Sequence, residues 1–217
     1  MTPPDTSIRP RKAPAQARSQ ERFERILEVS AELMATSGSG GLKVADIAAA
    51  AGISLASLYQ YFPDKTAIVA TLADRINASC QVYVQDAFRP VATIDDLLVA
   101  IHAMIDGYFG MFLSNPLSVA VWRATQSDPR LQELDREDCE KHAMTLANGL
   151  RAALPAMPDI EAIRTGRVLG EAISGTVRMA FGLPPEEGLA TVETCKTTVL
   201  DPAIRACAAR WSGDPTC

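Results

Sequence analysis

Glycine and proline divide this chain into segments of helix length, and that punctuation constrains its fold more than any other feature. Between the breakers, apolar residues return every three to four positions, and no run alternates β-branched and polar residues between hairpin turns. The chain is therefore expected to be all-α. A first helix is expected from Ser19 to Ser37: Phe23, Ile26, Leu27, Ala31, Leu33 and Met34 share a face, Ser19 can cap its start and Gly38 can end it. Two short helices follow near 44–51 and 55–61, then a longer one from Asp64, its N-cap, to Phe88. Thr93 with Asp96 opens a helix bearing Ile94, Leu97, Leu98, Ile101, Ile105, Phe109 and Phe112. Asn115-Pro116 and Asp128-Pro129 each join a capping side chain to a proline suited to the first turn; the second of these helices reaches Leu154, before Pro155 and Pro158. Two long helices, about 159–182 and 187–211, complete the chain. Pro202 is expected to kink or split the last, because proline lacks the amide hydrogen and clashes with the preceding turn.

Composition narrows the function classes. With 47% hydrophobic and 22% charged residues among 217, the sequence is that of a folded globular chain long enough for one or two domains. No apolar run approaches the ~20 residues of a membrane span, and residues 1–20 lack a secretory apolar stretch, so a cytoplasmic protein without membrane contact is expected. Five scattered cysteines with no C-x-x-C pair indicate neither a disulfide framework nor a zinc ribbon. Cys139 and His142 are three apart, but His102 is the only other histidine, so a second ligand pair is missing and the spacing reads as incidental. SGSGG at 37–41 lacks the lysine and spacing of a phosphate loop. No metal and no cofactor are expected. An enzyme, the leading competing class, finds no nucleophile–base pair here. The net charge of −5 is uneven: residues 1–75 hold nine Lys/Arg against eight Asp/Glu, and the remainder 12 against 18. Arg9, Arg11, Lys12 and Arg18 make residues 1–18 a flexible basic arm on an acidic body, which suits a local DNA contact better than wrapping.

The segment VADIAAAAGISLASLYQYF has the pattern of a helix-turn-helix. Ile47, Ala51, Ile53 and Leu58 are the apolar positions that hold two short helices together; Ala48 is small where they cross, and Gly52 supplies the positive φ of the turn. Ser54 caps the second helix. Phe23 to Met34 supply the third helix such a module needs behind it.

Extended to GLKVADIAAAAGISLASLYQYFPDKTAIVATL, this stretch resembles the DNA-binding domain of the TetR family of bacterial transcriptional regulators. The matching positions are Ile47, Ala48, Ala51, Gly52, Ile53, Ser54, Leu58, Tyr59, Tyr61, Phe62, Asp64, Lys65 and Ile68. The resemblance implies a helix-turn-helix domain over 19–63, a connecting helix over 64–88, and a helical ligand-binding and dimerisation domain over 89–217. It also implies a recognition helix over 55–61. Leu55, Ala56 and Ser57 then stand where base contacts are made, with Ser54 at the helix start, and Tyr59, Tyr61 and Lys65 where phosphates are touched. Two positions depart from the family pattern: Lys43 replaces a threonine cap and could gain a phosphate contact, and Ala56 replaces glycine or proline. The start of this helix has few hydrogen-bonding side chains and no arginine to read guanine. Thymine methyls, the basic arm and DNA shape are therefore expected to supply much of the selectivity.

The family likeness further implies a homodimer on a near-palindromic double-stranded operator, with a small-molecule effector releasing a repressor. Gly166, Gly170 and Ser174, spaced by four, form a small-residue stripe that serves either the dimer interface or a contact within the chain. Candidate effector-lining residues are His102, Tyr108, Phe109, Phe112, Trp122, Arg123, Gln126, Glu171 and Arg178, each of which also fits a core or salt-bridge role. The sparse chemistry of Leu55, Ala56 and Ser57 keeps one alternative open: a dimeric small-molecule-binding protein with weak or lost DNA binding.

Overall fold

The computed structural model describes residues 9–10 and 17–211. Arg11 and Lys12 of the expected basic arm lie outside them, as does Cys217. The described residues form ten α-helices and a π-turn, with no strand among them: α1 (Ala17–Gly41), α2 (Val44–Ala50), α3 (Leu55–Tyr59), α4 (Lys65–Phe88), α5 (Ile94–Ser114), α6 (Pro116–Ser127), α7 (Pro129–Ala153), α8 (Asp159–Phe181), α9 (Pro185–Cys195), the π-turn Lys196–Leu200 and α10 (Asp201–Trp211).

The helix starts follow from local chemistry. The Asp64 carboxylate accepts from the Ala67 amide at 2.9 Å, Asn115 from the Leu117 amide at 3.0 Å, and Asp128 from the Arg130 amide at 2.9 Å. Thr93 and Asp96 form a reciprocal box, Asp96 N donating to Thr93 Oγ1 at 3.1 Å and Thr93 N to Asp96 Oδ2 at 2.9 Å. α1 is already helical at Ala17, ahead of the expected Ser19, and its regular turns break at Gly38, where φ is 68°. Ahead of Pro202 the helix widens into the π-turn, which gives the proline ring room that a regular turn would deny it.

The chain forms two compact units. The first unit combines the described residues up to Ala78 with 115–136. Its core gathers Phe23, Ile26, Leu27 and Met34 of α1 with Ile47, Leu58, Phe62 and Ile68, and Ala120, Val121, Ala124 and Leu131 belong to the same cluster. This grouping differs from the expected single body beyond residue 89. α6 is amphipathic, with Leu117, Ala120, Val121 and Ala124 at helical spacing, and it buries that stripe against α1. Ionic contacts reinforce the same unit. Arg75 makes a bidentate pair with Glu24 at 2.7 and 2.8 Å, and Arg130 donates to Asp64 at 2.8 Å and to Thr66 Oγ1 at 2.7 Å. Burial works to raise the Asp128 carboxyl, but hydrogen bonds from Arg130 and Thr66 outweigh it and hold the group below its ordinary value.

The second unit comprises 79–114 and the residues from Glu137 onward. At its centre α5 buries Leu97, Ile101, Met104, Ile105 and Phe109 among Leu146, Leu150, Leu169, Ile173 and Val192. Contrary to the sequence expectation, α5 is long and apolar enough by length and composition to cross a membrane. Its apolar side chains form the core of this unit.

Of the two readings left open for the glycine stripe, the described residues show the contact within the chain. Gly166 is buried on α7: a Cβ there would lie 2.4 Å from the Ala143 carbonyl oxygen and 2.9 Å from the Ala147 nitrogen, while one at Gly170 would meet Leu146 at 3.7 Å. Gly166 and Gly170 both face α7 inside the chain, and at Gly166 only a residue without a side chain lets the two backbones come this close. Ser174, the third member, is half-buried. Gly166→Ala is expected to destabilise the protein by about 1–3 kcal/mol, through overpacking against backbone that cannot yield. Gly170→Ala, with room for its methyl and a better helix former, is expected to be neutral or stabilising by up to about 1 kcal/mol. Chemical denaturation of the two variants checks the contrast.

Candidate nucleic-acid interface and interior polar cluster

α2 and α3 form the helix-turn-helix. Gly52 adopts φ 66°, and the turn is closed by Gly52 N donating to Ala49 O at 3.1 Å and Ile53 N to Ala48 O at 3.0 Å. Ile47 and Leu58 are fully buried beneath it. Lys43 stands at the N-cap of α2 without a side-chain capping bond. Its carbonyl oxygen accepts from the Ile47 amide, and Asp46 in the first turn places negative charge near the positive end of the helix dipole. Ser54 caps α3 by accepting from the Ser57 amide at 3.1 Å.

The recognition-helix residues then divide. Lys43, Ser54, Leu55, Ala56, Tyr59 and Gln60 are exposed, and Ser57 and Lys65 are half-buried. Leu55 at 43% exposure is an apolar side chain left in solvent at the front of α3. Tyr61 departs from the expected phosphate-touching surface. It is only 5% exposed, its ring is tilted against Phe23 at 6.4 Å, and its hydroxyl lies 3.1 Å from Ser19 Oγ. Ser19, expected as a cap, is thus a polar partner for that buried ring.

The expected effector residues fall in different places. Trp122, Arg123 and Gln126 belong to the first unit, whereas His102, Tyr108, Phe109, Phe112, Glu171 and Arg178 belong to the second. His102 Nε2 donates to Asp201 Oδ1 at 2.7 Å, Phe109 lies in the core, and Phe112 packs against Phe181 with ring centres 5.4 Å apart. Arg178 is exposed near the end of α8. Glu171 lines an open groove of about 660 Å³ between α8 and α9, with Thr176, Met179, Glu187, Thr194 and Val199 among its other walls.

A second polar cluster, which the sequence reading did not assemble, lies inside the second unit. It joins Gln81 of α4, Tyr108 of α5, and Asp138 and His142 of α7. Gln81 Nε2 donates to Asp138 Oδ1 at 3.1 Å, and His142 Nε2 sits 3.3 Å from both Asp138 Oδ2 and Gln81 Nε2. The Tyr108 hydroxyl meets the same ring nitrogen, its own ring edge-on to the imidazole. These partners converge on Nε2. Nδ1 is buried and has no hydrogen-bond partner among the described residues, although His142 is only 5% exposed. An unsatisfied buried polar atom costs about 1–3 kcal/mol and marks a position where a bound molecule could supply the missing partner. The only local sign in the sequence was the i, i+4 pair Asp138–His142; Gln81 and Tyr108 join it through the tertiary fold.

The sequence and the fold have counterparts among known proteins. Residues 26–72 match the model for bacterial regulatory proteins of the tetR family, and residues 95–202 match the tetracyclin repressor-like C-terminal domain. The chain belongs to the TetR family. It is a ligand-responsive, DNA-binding transcriptional regulator that acts on operator DNA as a dimer. A TetR-family regulator from Streptomyces coelicolor shares 21% identity over 88% of this chain and 98% of its own, with a TM-score of 0.63. The SmeT–triclosan complex aligns at 16% identity over 88% and 91%, TM-score 0.64. A Saccharomonospora viridis protein in complex with choline aligns at 18% over 83% and 97%, TM-score 0.60. At these identities the structural likeness speaks for the TetR fold. No curated protein matches the sequence.

Cys80 reports on the interior cluster of this regulator. Burial, and then the nearby Asp138 carboxylate, push its thiol up to about 11 from an ordinary 9.0. Since only the thiolate reacts, alkylation of a variant with Cys80 as its sole cysteine is expected to be slow at neutral pH. Its rate is expected to keep rising about tenfold per pH unit beyond pH 9, where an unperturbed thiol levels off. Asp138→Asn is expected to speed the reaction.

Proposed function

We propose that this TetR-family protein is a repressor, bound as a two-fold homodimer to a near-palindromic operator and released by a small-molecule effector held in its second unit. One observation carries the reading. α4 and α7 each run from the helix-turn-helix unit into the unit containing the buried polar cluster. α4 presents Lys65 and Thr66 directly after the recognition helix and Gln81 four turns later; α7 presents Arg130, bonded to Asp64 and Thr66, and then Asp138 and His142. A molecule that supplies a partner for His142 Nδ1 and reorders Gln81, Tyr108 and Asp138 acts on both helices at once. It shifts the population toward a form with lower operator affinity, to the extent that it binds that form better.

On the DNA side, Leu55, Ala56 and Ser57 face base edges, while Lys43, Tyr59 and Lys65 face phosphates. The buried Tyr61 positions α3 through its contacts with Phe23 and Ser19. The dimer forms through the outer faces of α8 and α9, where Val168, Met179 and Leu189 are exposed apolar side chains, rather than through Gly166 and Gly170. Two copies present two recognition helices, and half-sites about 34–36 Å apart then require a fixed spacing between them. This reading assigns no reaction to the chain and places it in the cytoplasm with its DNA.

A gel shift on the DNA flanking the coding sequence separates the repressor from a protein that has lost DNA binding. Specific binding is expected to weaken steeply with salt, and Lys43→Ala and Lys65→Ala are each expected to lower the salt slope by about one. Salt-insensitive binding, or none, would sink the proposal. For the effector, a compound library is screened for molecules that raise Tm and release the operator. His142→Ala and Gln81→Ala are expected to lose that release while keeping operator affinity; an unchanged response would remove the polar cluster from the effector site.

A further inference from the structure

The exposed side of the recognition helix defines which bases it can read. Between Lys43 and Lys65 the sequence contains no lysine or arginine, so no guanidinium or ammonium on α3 can pair with the two acceptors of guanine. The Ser54 hydroxyl oxygen is engaged as the helix cap, and Leu58 and Phe62 are fully buried. What remains fully exposed on the helix is Leu55, Ala56, Tyr59 and Gln60, with Ser57 half-buried between them. Gln60 follows the last residue of α3 but keeps helical backbone angles, φ −70° and ψ −26°. It therefore lies one turn beyond Ala56, on the same face. No side-chain hydrogen bond engages Gln60 among the described residues.

A carboxamide offers one donor and one acceptor side by side. That pair matches adenine, which presents N7 as acceptor and N6–H₂ as donor in the major groove. Guanine presents two acceptors, N7 and O6, so the glutamine carbonyl would face an oxygen. Leu55 and Ala56 offer only apolar surface, for which the matching group is the thymine C5-methyl.

We infer that Gln60 is a base-reading residue of this regulator, selecting adenine in each half-site, and that Leu55 with Ala56 selects an adjacent thymine, so that the bases read by α3 form an A·T-specific core. The inference rests on the reading of α3 as the major-groove helix.

The test is selection of operators from a random double-stranded library by the full-length protein and by Gln60→Ala, Gln60→Arg and Leu55→Ala variants, all first checked for unchanged Tm. The wild type is expected to enrich paired half-sites with an adenine that Gln60→Ala no longer prefers, its discrimination at that position falling about tenfold or more. Gln60→Arg is expected to exchange that adenine for guanine. Replacing the selected thymine by uracil, which removes only the methyl, is expected to weaken wild-type binding and to weaken that of Leu55→Ala less. If motifs are enriched but keep the same adenine in Gln60→Ala, the inference is overturned while the regulator reading stands. If no variant, wild type included, enriches any motif, both fall.

Discussion

The recognition helix cannot stand alone. α3 is five residues long, far short of the ~12–15 at which an isolated helix becomes even marginally stable in water. It exists because Leu58 and Phe62 are driven into the core with Ile26, Leu27 and Ile47, and because the Phe62 ring stacks on Phe23 with centres 5.0 Å apart. That contact joins the DNA-facing element to the helix behind it. The capping of α3 by Ser54, the burial of Tyr61 against Phe23 and Ser19, and the outward display of Leu55 and Gln60 all depend on it. Fully burying one such side chain contributes about 1.5–3 kcal/mol, while the cap adds about 1, so packing decides where α3 sits and the cap decides where it starts.

The second unit poses the opposite problem. Its helices are held by an apolar core around α5, yet Asp138 and His142 are buried polar groups in the same unit, bonded to the half-buried Gln81 and Tyr108. Such a network is costly when incompletely satisfied, and the buried His142 Nδ1 is the atom left over. A core optimised only for stability would have filled these positions with apolar side chains. The retained polarity is the physical ground for the proposed effector site, and α4 and α7 would give its response a covalent route to the DNA-binding module.

Much of the fold was legible because it is written in local chemistry. Asp64, Thr93 with Asp96, Asn115-Pro116 and Asp128-Pro129 announce helix starts by side chains that bond the nearest amides, and the structure begins helices within a residue of each. Gly52 was readable for the same reason, since a positive φ is a property of one residue. Gly166 and Gly170 were not. A stripe of small residues says that something comes close, and only the folded chain shows that the neighbour is the α7 backbone at Ala143 and Ala147. The effector residues were harder still. Apolar and aromatic side chains suit a core and a pocket equally, so periodicity along α5 and α6 could not separate Phe109 in one unit from Trp122 in the other.

The sequence by itself determined the all-helical class, the capped helix starts, the helix-turn-helix and the residue types available to meet DNA, including the want of any cation between Lys43 and Lys65. These are properties of single residues and of neighbours within a few turns. Only the tertiary structure decided that Tyr61 turns inward, that the glycine stripe packs against α7, that α6 joins the first unit, and that Gln81, Tyr108, Asp138 and His142 meet. Each of those depends on residues distant in sequence being brought into contact by burial of apolar surface. Burial is non-directional, so the helical period names the face that is hidden and leaves open what it is hidden against.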